Sequence, residues 1–287
     1  MFLLQLYPIN DIILSQFGEK PKQISILNGG DINQVFKVEL YNQNLVVKLN
    51  NSKDLPQLFE KEKKGLELLS QSNFIIPKAH LYGTYTSYDF LIIDYIEIGR
   101  NLNWGDFGEK LAQLHQIEGK HFGLDHDNYI GSLMQVNEQC NDWIEFYTNH
   151  RLLALTAKAR DQGLFEKNHC IWVEKLCQKL NEVIPTYNPS LIHGDLWSGN
   201  LLTDRSGQPV LIDPAVYYGH PEMDWAMLSL FGNYPEEAMR SYLNIVNLEV
   251  GFEHRKEIHQ LYPLLVHLLI FGIGYRQSIL SVLKKFS

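Results

Sequence analysis

The sequence predicts an α+β fold in two lobes, a small β-rich one followed by a larger, mostly helical one. Three observations carry that prediction. Strand-like runs are concentrated in residues 23–96, helical periodicity dominates after Gly99, and the strand signals that return do so as one hairpin around 201–213. Strands and helices segregated along a chain give α+β layers, not the alternating βαβ units of a doubly wound sheet. The 287 residues are near the upper size for one hydrophobic core, which allows one large domain or two lobes; the segregation of strands and helices points to two lobes. They are expected at 1–96 and 97–287.

Taken in order, residues 11–17 read as a short helix. QISILN, VFKVEL and LVVKLN, within 23–50, read as an antiparallel meander. Gly29-Gly30-Asp31-Ile32-Asn33-Gln34 joins the first two strands, and the polar turn at Tyr41–Asn44 joins the second two. LFEKEKKGLELLSQS (58–72) places Leu58, Leu66 and Leu69 among charges, the pattern of an amphipathic helix. Residues 80–96 form a hairpin ending in a very apolar strand. Segments 108–117, 140–160 and 170–184 have helical spacing. LLTD and PVLID then flank Arg205-Ser206-Gly207 as the one later hairpin. The longest apolar run, Leu264–Tyr275, is too short to span a bilayer and reads as a buried C-terminal helix.

Composition narrows the function classes. The chain is 45% hydrophobic and 20% charged, ordinary for a soluble protein, and its net charge of −8 argues against nucleic acid as a partner. Cys140, Cys170 and Cys177 form neither a disulfide framework nor a zinc pattern, so a reduced, cytoplasmic setting fits. The apolar N-terminus lacks a basic leader and is broken by Pro8, Asn10 and Asp11, unlike a signal peptide. No membrane partner is expected.

The chemistry concentrates in LIHGDLWSGNLL (191–202). His193-x-Asp195-Leu196-x-x-x-Asn200 has the H-x-D-L-x-x-x-N spacing of a kinase catalytic loop. Asp195 is then the proton acceptor, and Asn200 a magnesium ligand. A hairpin follows and ends at Asp213, where a second hard oxygen ligand for Mg2+ belongs. Upstream, Gly29 and Gly30 sit in a turn between strands, Lys48 ends an apolar strand, and Glu62 lies on the next helix. In that order, Lys48 contacts the α- and β-phosphates of ATP and Glu62 holds Lys48 in place. Taken singly, Lys48 also reads as a strand-end surface lysine and Glu62 as a solvated charge. The glycine turn lacks a full G-x-G-x-x-G, and Asp213 is followed by Pro214-Ala215 instead of Phe-Gly. No A-P-E motif follows. These departures point to a small-molecule kinase.

HGDLWSGN, LIDPAVYYGHPEMDWAM and NGGDINQVFKVEL resemble the fructosamine kinase (ketosamine-3-kinase) family, and FGLDHDNYIGSL and CNDWIEFYTNHRL extend the resemblance over nearly the whole chain. Met134 departs from the proline often found after SL. The resemblance implies a bilobal protein-kinase-like fold, shared with aminoglycoside phosphotransferases. It implies ATP and Mg2+ as cofactors and transfer of the γ-phosphate to the 3-hydroxyl of a ketosamine, on a small amine or a protein lysine. Asp94, Tyr95 and Ile96 match the hinge whose backbone binds adenine, although by themselves they read as a strand end. Trp197 is placed to pack on the sugar, with lobe packing as the alternative. Tyr217, with Tyr218, favours a sugar acceptor. Glu222 either faces the substrate amine or caps the helix that follows. Asp224 looks like the N-cap of that helix and braces the catalytic loop, which His193 also supports. His115 looks like a core position. The rival readings are a choline, homoserine or aminoglycoside kinase of the same fold, and a nucleotide-binding pseudokinase scaffold.

Overall fold

The computed structural model describes residues 8–27 and 32–286. Gly29 and Gly30, expected to line the nucleotide phosphates, lie outside the described residues.

Helix α1 (Ile9–Phe17) buries Ile9, Ile12 and Ile13, an i, i+3, i+4 stripe, and stops at Gly18, whose left-handed φ of 72° suits glycine. A five-stranded antiparallel sheet follows. Its strands are β1 (Gln23–Ile26), β2 (Gln34–Glu39), β3 (Asn44–Asn51), β4 (Ala79–Tyr85) and β5 (Tyr88–Asp94), in spatial order β1-β2-β3-β5-β4. Helix α2 (Leu58–Leu69) connects β3 to β4. Strand β3 is central and covered on both faces. Leu45, Val47 and Leu49 pack into the cluster with α1, while Val46 packs with Leu58, Phe59 and Leu66 of α2. Side chains alternate along a strand, so Lys48 shares the Val46 face and points toward α2. Glu62 is four residues from both Leu58 and Leu66, hence on the buried stripe of α2. Sheet register and helix phase together bring the two charges face to face. The sheet ends at Asp94 and helix resumes at Trp104; we propose residue 96 as the division between the lobes.

The second lobe begins with α3 (Trp104–His115), capped by Asn103, whose side chain accepts the Asp106 N–H. The hairpin β6 (Asn128–Ile130) and β7 (Leu133–Gln135) follows, then α4 (Trp143–Phe146), a π-helical stretch Tyr147–Leu153, and α5 (Ala154–Asp161). After α6 (Lys167–Cys177) and α7 (Leu180–Val183) come four short strands: β8 (Ser190–Ile192), β9 (Leu201–Thr203), β10 (Pro209–Leu211) and β11 (Tyr217–Gly219). The chain closes with α8 (Glu222–Leu228), α9 (Glu236–Leu243), α10 (Phe252–Phe271), a 3-10 turn at Ile273–Tyr275, and α11 (Arg276–Phe286).

The core of this lobe is aromatic. Trp225 is fully buried and meets Phe107 and Tyr242 edge-on, at centroid distances of 6.1 and 5.2 Å. A cavity there costs about 3–5 kcal/mol, and Trp225 adjoins Asp224, so this packing also anchors the site.

Three expectations are corrected. The second lobe holds three strand pairs among the described residues, β6–β7, β8–β11 and β9–β10, not one hairpin. Each strand is three residues long, too short for alternation to register, and β8 pairs with β11 only after the chain has built the loop and hairpin between them. The helix expected at 140–160 contains the π-helical segment. The run 264–275 is not one buried helix: α10 ends at Phe271, capped by Gly272 with φ 89°, and Phe271 and Ile273 are about half exposed. No helix among the described residues is long and apolar enough to cross a membrane.

Candidate active site

Strand β8 delivers the chain to His193 at the floor of a cleft between the lobes. Gly194 turns it sharply, with φ 79°; a Cβ there would lie 2.1 Å from the Ala215 carbonyl oxygen. No side chain fits that approach. His193 is fully buried. Its Nδ1 accepts the Asp195 N–H at 3.2 Å, so its Nε2 donates to the Ile212 carbonyl at 3.0 Å. Burial pushes its pKa down, keeping the ring neutral. The imidazole thus ties the loop to the segment after β10 that carries Asp213.

Asn200 binds this loop to the same segment. Its Nδ2 donates to the Asp195 backbone oxygen at 2.9 Å and to the Asp195 carboxylate at 3.1 Å. Both partners are acceptors, which fixes the orientation of the amide and leaves Oδ1 as the open end. The Ile212 N–H donates to the Asn200 carbonyl at 3.1 Å. Asp213 has φ 53°, a left-handed conformation that aspartate tolerates better than most residues. Its carboxylate accepts a hydrogen bond from Lys48 Nζ, which also donates to Glu62 at 2.6 Å.

The electrostatics follow from that geometry. Burial opposes the charge on Lys48, but Asp213 and Glu62 outweigh it and raise its pKa. Burial pushes Glu62 up, with Lys48 pulling the other way. The Asp195 carboxyl is raised to about 7, first by burial and then by Asp213, with the Asn200 bond opposing. An acid poised near neutrality is suited to take and return protons.

Lys48, Glu62, Asp195, Asn200, Asp213 and Trp197 line one cavity of about 480 Å³. Asn200 Oδ1 and the Asp213 carboxylate are hard oxygens facing a common space, the donor type a magnesium ion takes. Trp197 is 37% exposed on the cavity wall. A Cβ on Gly199 would come within 2.3 Å of the indole, so the small residue makes room for the ring.

Asp94, Tyr95 and Ile96, expected to form the adenine-binding hinge, are not on the wall of this cavity. The Asp94 and Tyr95 N–H groups already donate to the Lys78 and Asn44 carbonyls, and the Asp94 carboxylate accepts from the Lys78 N–H and pairs with His80. The Ile96 N–H has no partner among the described residues.

Tyr217 and Glu222, expected at the substrate, do not line this cavity. Tyr217 is fully buried on β11, packed on Phe146 with the Arg151 guanidinium 4.3 Å from its ring centre. Tyr218 alternates to the other face and covers Gly119. Glu222 is fully buried too. It accepts from Arg255 Nε at 3.1 Å, from Arg255 Nη2, and pairs with His259 Nε2 at 3.1 Å. Burial alone would raise its carboxyl, but His259 and Arg255 overcome that and hold it at about 2. Its charge is spent inside the lobe. Asp224 is not an N-cap: α8 starts at Glu222, and Asp224 sits inside its first turn. Its carboxylate accepts the N–H groups of His193 at 2.8 Å and Gly194 at 3.0 Å, and pairs with His115 at 3.3 Å. His115 is also held by the Tyr242 hydroxyl at 2.8 Å.

Sequence reasoning missed the β6–β7 hairpin and the end of α10. Asn128 Nδ2 donates to the Val216 carbonyl and Gln135 Nε2 to the Ala215 carbonyl, bracing the chain just after Asp213. Phe231, His267, Phe271 and Tyr275 form part of the cavity wall. The available signal was the i, i+4, i+8 spacing of His267, Phe271 and Tyr275 inside a run dismissed as core.

The fructosamine kinase family model matches residues 7–287. The chain belongs to the fructosamine kinase family. A Synechocystis protein named a probable ketoamine kinase is 37% identical over 263 residues, covering 90% of this chain and 88% of its own. The chloroplastic protein-ribulosamine 3-kinase of Arabidopsis thaliana is 34% identical over 290 residues, covering 97% and 87%. A fructosamine-3-kinase homologue from Thermobifida fusca, known from a crystal structure, superposes with a TM-score of 0.87 at 30% identity, covering 96% of this chain and 97% of that one. An aminoglycoside phosphotransferase in ternary complex with AMP-PNP and hygromycin B superposes with a TM-score of 0.65 at 16% identity, covering 96% and 98%, and so shares the fold. The fold is therefore protein-kinase-like, and this member of the fructosamine kinase family is an enzyme, a phosphotransferase with an alcohol group as acceptor.

Proposed function

We propose that the protein transfers the γ-phosphate of ATP to the 3-hydroxyl of ketosamines, fructosamine or ribulosamine adducts of amines and protein lysines, in the cytoplasm. The observation that carries this reading is the convergence of Asp195, Asn200, Asp213, Lys48 and Glu62 on one cavity, with Trp197 beside Asp195. Asp195 accepts the proton of the attacking hydroxyl. Lys48, steadied by Glu62, contacts the α- and β-phosphates. Asn200 Oδ1 and Asp213 would hold Mg2+, which, when bound, neutralises charge between the β- and γ-phosphates. The Ile96 N–H and the carbonyls of 94–96 receive adenine. Trp197 packs against the apolar face of the sugar.

The product explains a repair role. It bears phosphate on carbon 3, a ketone on carbon 2 and the amine on carbon 1. Loss of a proton from carbon 1 gives an enaminol, which expels the phosphate. Hydrolysis then frees the amine and a deoxy-dicarbonyl sugar, so phosphorylation reverses glycation. The test is ADP release on a panel of ketosamines, choline, homoserine and aminoglycosides, with the phosphorylated carbon located by NMR. Turnover of ketosamines alone, at carbon 3, supports the reading. Preference for another acceptor overturns it.

A further inference from the structure

The C-lobe wall of the cleft has a chemistry that the transfer step does not use. Beyond Asp195 and Trp197 it is built by Phe231, after α8, by His267 and Phe271, in the last turns of α10, and by Tyr275, in the 3-10 turn that follows. The rings form one cluster around His267, with centroid distances of 4.7 Å to Phe231, 5.3 Å to Phe271 and 5.1 Å to Tyr275. Phe231 is 42% and Phe271 51% exposed. Aromatic faces open to water along a cavity are recognition surfaces, because a ligand can remove that area from solvent.

Charge is missing from this wall. Among the described residues lining the cavity, the carboxylates are Glu62, Asp195 and Asp213, and the cations are Lys48 and Lys61. Each has a place in the transfer machinery except Lys61, whose ammonium donates to the Asp127 carbonyl. His267 adds no charge: its Nδ1–H donates to the Pro263 carbonyl at 2.7 Å, and burial lowers its pKa. A neutral ring bonded that way has only Nε2 left, an acceptor suited to an N–H or O–H donor. A polyamine held in such a site would lose water around several ammonium groups without gaining carboxylates, a costly exchange. A single ammonium is different. Ring faces attract one cation without a counter-ion, and the ring edges pack on its alkyl chain.

Resting on the ketosamine reading above, we propose that this wall is the subsite for the carbon substituent of the ketosamine nitrogen. It selects adducts of amines with an apolar body and one positive charge, a lysine side chain or an arylalkylamine, over polyamine adducts. The sugar hydroxyl lies at Asp195, the protonated nitrogen meets the rings, and the substituent runs along them toward the opening.

The experiment compares four fructose adducts under saturating MgATP: 1-amino-1-deoxyfructose, which has no substituent, and the adducts of Nα-acetyl-lysine, benzylamine and spermine. Expected kcat/KM for the lysine and benzyl adducts is roughly ten-fold above that for 1-amino-1-deoxyfructose, and the spermine adduct gains nothing over it. Phe231→Ala and Tyr275→Ala should collapse that ten-fold ratio through KM. Phe231→Leu, which keeps apolar volume but not the ring face, should restore part of it, and melting curves confirm that each variant is folded. A spermine adduct used best, equal use of all four, or an unchanged ratio in the folded variants overturns the proposal alone. No turnover of any ketosamine overturns the reading on which it rests, and the wall's assignment with it.

Discussion

The Asp224 carboxylate accepts the backbone N–H groups of both His193 and Gly194, at 2.8 and 3.0 Å, from 31 and 30 residues further along the chain. The His193 bond is buried and the Gly194 bond partly so. Replacing Asp224 with Ala leaves one buried and one part-buried N–H donor without its partner, each worth about 1–3 kcal/mol at most. We predict a stability loss of about 2–4 kcal/mol in urea unfolding and a fall in kcat larger than any rise in the KM for ATP. Unchanged unfolding would mean that the loop is held by other contacts.

Asp195→Asn is predicted to lower kcat by about two to four powers of ten, the usual contribution of a general base. Nucleotide affinity should stay close to that of the parent enzyme, because the carboxylate addresses the acceptor. In the parent enzyme, activity needs the ionised form, so kcat/KM for the acceptor should rise with pH along an acidic limb at or below about 7, the value to which burial and Asp213 raise this carboxyl. A bound cation at Asp213 shifts the limb downward, since it favours the carboxylate. A flat profile from pH 5 to 8, or near-normal turnover in the variant, excludes Asp195 as the base.

Asp213→Ala should abolish magnesium-dependent nucleotide binding measured by calorimetry. The Lys48 ammonium would keep Glu62 and lose its other carboxylate, so affinity for metal-free ATP should survive better than affinity for MgATP. Equal MgATP binding in variant and parent would remove Asp213 from the metal site.

Trp197→Ala should raise the acceptor KM far more than the ATP KM. Gly199→Ala should act in the same direction, because its methyl group would displace the indole. A drop in melting temperature with both KM values unchanged would make Trp197 a packing residue instead.

Acid should unfold the protein in two overlapping stages. His220 is pushed down to about 3, first by burial and then by His259. Its ordinary value is 6.5, so between 6.5 and about 3 the unfolded chain takes up a proton that the fold refuses, and stability falls. Glu222 is held at about 2 against an ordinary 4.5. It contributes fully above 4.5, and that contribution is lost as pH drops toward 2. Urea midpoints measured from pH 7 to 3 should fall steadily, and His220→Gln should flatten the upper part of the slope. A pH-independent midpoint would contradict both assignments.

The lobes were legible in the sequence because their signals are local. Alternation in β2 and β3 and the stripe on α2 put Lys48 and Glu62 where they meet, and the spacing inside 193–200 is itself the loop. The second lobe was harder. Strands β6, β8 and β11 are too short to show a period, and their partners are set by tertiary packing. Glu222 looked available because charges before a helix usually are exposed; nothing local announced Arg255 and His259, 33 and 37 residues away. Tyr217 and Tyr218 are adjacent, and only the pairing of β11 with β8 decides which ring turns inward.

The contact between Lys48 and Asp213 has a consequence for the order in which ligands arrive. A free divalent cation approaching Asp213 meets a carboxylate whose Oδ1 is already engaged by an ammonium, in a place where burial penalises leaving that ammonium alone. Nucleotide phosphates change the exchange, since they offer Lys48 new anionic partners as they release the aspartate. Cation and nucleotide should therefore enter together, as a complex, and each should be a poor visitor without the other. Titrating Mg2+ into nucleotide-free enzyme should yield almost no heat, and the same titration in the presence of a non-hydrolysable ATP analogue should saturate.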